Sequence, residues 1–115
     1  MKQINRLEVE QVADVVAYYF GINPEVIFMR NMKKKPSMAR QIVCYILHQY
    51  YGYSSMEIQS VISKQRMNVM RNVKIIMSDL NCKNEETTKC INYAKTILNL
   101  GEKNINENYR KLNKL

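Results

Sequence analysis

A chain of 115 residues, 46% apolar with three Gly and two Pro, suits one ordered, helical domain and excludes a second sizeable one. Its net charge of +8 favours a phosphate-bearing partner. No run approaches the roughly 20 apolar residues of a membrane span, and Met1-Lys2-Gln3-Ile4 lacks the apolar core of a signal peptide, so a cytoplasmic protein without a membrane partner is expected.

In chain order, residues 7–20 read as an amphipathic helix with Val9, Val12, Val16 and Tyr19 near one side, ended by Gly21. Asn23-Pro24-Glu25 starts a second, short helix running to about Met29, since Asn caps, Pro suits the first helical position and Glu complements the dipole. Arg30 to Pro36, with Lys33, Lys34 and Lys35 in a row, shows no apolar period and reads as a loop entering the next helix. From Ser37 to Tyr51 nearly every residue is apolar, as expected of a central helix; Arg40, Cys44 and His48 share its polar strip. Gly52 closes it.

Residues 54–80 then read as a short helix, a tight turn and a longer helix, a helix-turn-helix. Ser54 or Ser55 caps the first, and Ser54 to Glu57 has capping-box spacing. Ile58, Val61 and Ile62 face inward. Ser63 is expected to cap the second helix, whose Val69, Val73, Ile76 and Leu80 form an apolar stripe. The opposite face carries Lys64, Met67, Asn68, Arg71 and Lys74 and no acid. Asn, Arg and Lys read base edges or phosphates, and Met can touch a thymine methyl. After a turn, residues 85–99 form a further helix with Cys90, Tyr93, Ala94, Ile97 and Leu98 inward and Gly101 as its C-terminal cap. The domain is expected over 1–100. The tail 101–115, with Ile105, Tyr109 and Leu112 at helical spacing, is a marginal helix ordered by packing or by a partner. The expected fold is all-α, a compact bundle of five to six helices.

The charge is uneven. Between Arg30 and Lys74 stand nine basic residues (Arg30, Lys33, Lys34, Lys35, Arg40, Lys64, Arg66, Arg71, Lys74) against Glu57 alone, so this segment supplies the whole excess. Three widely spaced cysteines exclude a disulfide framework, and Cys44 with His48 at i and i+4 falls short of a zinc site. One His and no nucleophile–base pair argue against an enzyme. No cofactor or metal is expected. An aromatic row for stacking single-stranded bases is lacking, which favours duplex DNA.

With these residues placed, the chain resembles the C-terminal DNA-binding domain family of the bacterial replication initiator DnaA, a Trp-repressor-like helix-turn-helix, from about Val12 to Leu98. The resemblance rests on Val16-Ala17-Tyr18-Tyr19-Phe20-Gly21-Ile22, the basic loop, Ala39-Arg40-Gln41 and Ser54-Ser55-Met56-Glu57-Ile58, in that order. It implies that the basic loop with Lys33, Lys34 and Lys35 reaches a minor groove. Arg40 and Gln41 would lie near the DNA backbone, and Lys64, Gln65, Arg66, Met67 and Asn68 would begin a major-groove helix. Ser54, Arg71 and Lys74 complete the candidate contact set. The family's Gly-Gly-Arg-Asp-His-Thr-Thr-Val is replaced by Ser63-Lys64-Gln65-Arg66-Met67-Asn68-Val69, one residue shorter and without the base-selecting Asp, His and Thr. The resemblance thus implies the scaffold and not the initiator's own site. The phosphate-binding pattern G-x-x-x-x-G-K-[ST] is absent, so no nucleotide is expected. The expected function is sequence-preferring duplex-DNA binding by a stand-alone, regulatory or replication-accessory domain of a mobile element, as a monomer or with a homodimer or protein partner. The alternative is a protein-interaction module docking an acidic partner.

Overall fold

The computed structural model describes residues 4–29, 33–62 and 68–101. They form five α-helices and one 3-10 helix: α1 (Arg6–Phe20), the 3-10 helix (Pro24–Phe28), α2 (Lys34–Gln49), α3 (Ser55–Ile62), α4 (Val69–Asn81) and α5 (Glu85–Ile97). Among the described residues there is no strand, and no helix is long and apolar enough to cross a membrane. The bundle is all-α, as its composition indicates.

Helix α2 is the centre, packing against all five other elements. Its Ile42, Val43, Ile46 and Leu47 are fully buried among Val12 and Val16 of α1, Ile58 and Ile62 of α3, Val73 and Ile76 of α4 and Ala94 of α5. The apolar stripes of α1 and α4 face inward as their spacing predicts. Cys44 departs from the expected polar strip: it is fully buried, the behaviour of a small apolar side chain. His48 on that strip is half-buried and its Nδ1 pairs with Gln49 Nε2 at 3.0 Å.

The local starts and stops have identifiable causes. Asn5 caps α1 by accepting the Leu7 N–H at 2.9 Å, and Gly21 (φ 68°) ends it in the left-handed conformation. Asn23 accepts the Glu25 N–H at 2.9 Å to open the 3-10 helix. Asn84 caps α5 through the Thr87 N–H at 3.1 Å, while the buried Thr87 hydroxyl donates to Asp79 Oδ2 at 3.3 Å. Tyr53 is buried between the helix-turn-helix and α1. Its hydroxyl donates to Glu8 and accepts the Asn5 N–H at 3.2 Å.

Four expectations are corrected. Lys34, Lys35 and Pro36 are not loop but the first turn of α2, because a proline third in a helix has no N–H to satisfy and a φ already suited to it. Helix α4 starts at Val69 under Asn68; the cap assigned to Ser63 lies outside the described residues. Helix α5 ends at Ile97, and Asn99 (φ 53°) makes the left-handed stop assigned to Gly101, with the Leu100 N–H reaching Lys95 O at 2.9 Å. Ile97 is 55% exposed rather than inward. The tail from residue 102 onward, expected as a marginal helix, lies outside the described residues.

Candidate nucleic-acid interface

The helix-turn-helix is built by α3, α4 and their caps. Ser54 and Glu57 close the capping box: Glu57 Oε1 accepts the Ser54 N–H at 2.9 Å and Ser54 Oγ accepts the Glu57 N–H at 3.2 Å. Ile58 and Ile62 bury the inner face of α3, so its outer face is left with Met56, Gln59 and Ser60. At the start of α4, Asn68 Oδ1 accepts the Arg71 N–H at 2.9 Å. Asn68 is therefore a helix cap as well as an exposed polar group at the mouth of the site.

Between the two helices runs a groove lined by Ser55, Met56, Gln59, Ser60, Asn68, Val69 and Met70. A second concavity continues along α4 past Arg71, Lys74, Ile75 and Ser78 to the half-buried Asp79, whose Oδ2 accepts the Thr87 hydroxyl. Asn68 and Met70 line both. The exposed residues from 68 to 81 (Asn68, Arg71, Lys74, Met77, Ser78 and Asn81) include two cations and no acid. Met56, 82% exposed, belongs to this surface and was missed in the sequence. Its place off the Ile58–Val61–Ile62 stripe is the signal that could have found it.

Lys33, Lys34 and Lys35 are exposed at the amino end of α2. That end carries the positive pole of the helix dipole, and the first turn holds no acid. Cations there oppose the dipole, at a cost of about 0.3–1 kcal/mol each, and a docked phosphate would remove the conflict. Helices α2 and α4 pack directly on each other, joined in part by Asn72 Nδ2 donating to Cys44 Sγ at 3.8 Å. The two sets of cations therefore sit on contacting helices.

Arg40, assigned by resemblance to the DNA backbone, is turned onto the protein. Its Nε donates to Ile27 O at 2.8 Å, and Nη2 to Val26 O at 3.3 Å and to Met29 O. These carbonyls end the 3-10 helix, so Arg40 fixes the chain just ahead of the lysines. Burial pushes its pKa below the ordinary value. Gln41 is half-buried beside it. Ser54 is exposed with its hydroxyl held in the capping box. Lys64, Gln65, Arg66 and Met67 lie outside the described residues, as does Arg30.

The groups with other chemistry are held away from that role. Burial raises the Cys44 thiol to about 12, against lowering contributions from Asn72 and Arg40, and keeps it protonated. Burial lowers the His48 pKa and favours the neutral ring.

The model of the bacterial dnaA protein helix-turn-helix family matches residues 9–76, from α1 into α4. The chromosomal replication initiator protein DnaA 1 of Chlamydia muridarum is 26% identical in an alignment covering 83% of this chain and 23% of that protein. The chain thus spans about a quarter of the length of this curated relative. No solved structure matches it.

Proposed function

The chain belongs to the bacterial DnaA helix-turn-helix family, a DNA-binding module, and from that premise we propose that it binds duplex DNA with sequence preference. The observation that carries the reading is the exposed amino-terminal half of α4, where Asn68, Arg71 and Lys74 stand together without an acid on the second helix of the motif. In this reading the amino end of α4 enters the major groove. Arg71 offers a planar fork that can hold a guanine edge by two hydrogen bonds, and Met56 and Met70 offer apolar contact to thymine methyls. Lys33, Lys34, Lys35 and Lys74 hold phosphates and set the register. Arg40 acts at one remove, by positioning the segment that leads to the lysines.

The base-selecting Asp, His and Thr of the family are missing between residues 63 and 69, so the proposed target differs from the initiator's own site. Membership of a replication-initiator family supports a regulatory or replication-accessory role. The acidic-protein alternative lacks the support that family membership gives to DNA.

Selection of bound duplexes from a random pool, followed by titration of the winner across salt, tests the reading. Contact with about six phosphates gives a log–log salt slope of about −5. A flat salt response, or a pool that returns no enriched sequence, would reject it.

A further inference from the structure

The outer edge of α1 and the end of α5 meet in an apolar patch that the core does not use. Tyr18 is 78% exposed, and its ring stacks on Tyr93 of α5 with centroids 6.5 Å apart. One turn past Tyr93, Ile97 is exposed as well. Leu7 is exposed on the same outward side of α1 as Tyr18, eleven residues earlier. Gln11 and Asp14, also exposed, fill that side between them, while Glu10 lines a concavity with Phe28 and Val61 on the other flank of α1. Scattered apolar side chains need no cover, but Tyr18, Tyr93 and Ile97 adjoin one another, with the exposed Asp14 and Glu86 at their margin and the neighbouring Lys89 already paired to Glu85.

The described chain ends at this place. Ile97 is the last residue of α5, and Leu98 to Gly101 lead directly into residues 102–115. That segment carries Ile105, Tyr109 and Leu112 at spacings of four and three, with Lys103, Arg110, Lys111 and Lys114 against Glu102 and Glu107. An apolar series with a basic margin complements an apolar patch with an acidic one. Reach is no obstacle: 14 residues can extend about 46 Å, beyond the molecule's longest dimension of 39 Å.

We propose that residues 102–115 dock on the Tyr18–Tyr93–Ile97 patch of their own molecule, with Arg110 and Lys111 facing Asp14. The surface lies on α1 and α5, apart from the DNA-facing groove of α3 and α4, so the docked segment and bound DNA occupy different faces.

Amide hydrogen exchange of residues 102–115 in the full 115-residue chain tests this, read by mass spectrometry over a protein concentration series. Exchange at least about tenfold slower than random coil is expected at every concentration. Tyr18→Ala and Asp14→Lys, both at exposed positions, should each return it to random-coil rates, and Asp14→Lys with Lys111→Glu should restore the protection. Melting curves would establish that the variants fold. Random-coil exchange in the parent chain overturns the proposal. So does protection that survives Tyr18→Ala, which would seat the segment elsewhere. Protection that grows with concentration would assign the patch to a second copy and overturn docking within one molecule.

Discussion

Asn68 Oδ1 accepts the backbone N–H of Arg71 at 2.9 Å. The cap that starts α4 therefore also fixes the backbone from which its first cation projects. On the proposed reading, stability and recognition meet in this one hydrogen bond, and substitutions can separate them. Arg71→Ala, at an exposed site, should leave the melting temperature near the parental value. It should cost about 1–3 kcal/mol on the preferred duplex if the guanidinium holds a base edge. Asn68→Ala should lose about 1 kcal/mol of stability through the cap, whereas Asn68→Ser, which can still cap, should keep most of it. Parallel thermal melts and duplex titrations read the two effects; equal destabilisation by Ser and Ala would remove the capping role.

Lys34→Glu should move stability and binding in opposite directions. Replacing a cation by an anion in the first turn of α2 favours the helix by about 1 kcal/mol, a rise of about 4 °C in melting temperature for a domain of this size. The same change places a negative charge where phosphate is expected, so affinity should fall alike on preferred and random duplex. A variant that melts lower than the parent would contradict this account of the α2 amino end.

Arg40→Ala should destabilise the fold by about 1–3 kcal/mol, because it strips donors from the carbonyls of Val26 and Ile27. Arg40→Lys should recover only part of that, since one ammonium cannot reproduce the planar fork. Urea midpoints for the three proteins decide it. An unchanged midpoint in Arg40→Ala would return this arginine to a purely DNA-facing role.

The thiols give a prediction with a definite sign. Cys44 and Cys90 are buried and both pushed up to about 12, by burial first and, at Cys90, also by the Glu86 charge. A thiol whose folded pKa is raised favours the native state fully below the unfolded value of about 8.5. That contribution is lost as pH rises toward 12. Tyr51 and Tyr53 are raised as well, chiefly by burial, and act in the same sense. Urea midpoints should therefore fall on the alkaline side of pH 9. At pH 8 a thiol reagent should modify only the exposed Cys82 in the folded chain, and all three cysteines in urea.

Much of the architecture was legible because its signals are local and periodic. Val9, Val12 and Val16, or Val69, Val73 and Ile76, repeat at helical spacing and are buried. Asn23-Pro24-Glu25 and Ser54 to Glu57 announce helix starts through their own hydrogen bonds. The misses have tertiary causes. Asn68 as well as Ser63 is a good cap residue, so local sequence alone does not choose the start of α4; the described helix begins under Asn68. Lys34 and Lys35 carry no apolar period, and only the chain's entry into α2 makes them helical. Arg40 looks outward on a helical wheel, yet the carbonyls that end a short 3-10 helix draw it back. Asn99 takes the left-handed stop two residues before the glycine that spacing favoured.

The buried phenol of Tyr53 has a mechanical consequence. Its oxygen joins Asn5 and Glu8 at the head of α1, while the next residue along the chain, Ser54, holds the entry to α3. The Tyr53 N–H also donates to Leu47 O of α2 at 3.1 Å, so a single residue couples the head of α1 and the end of α2 to the entry of α3.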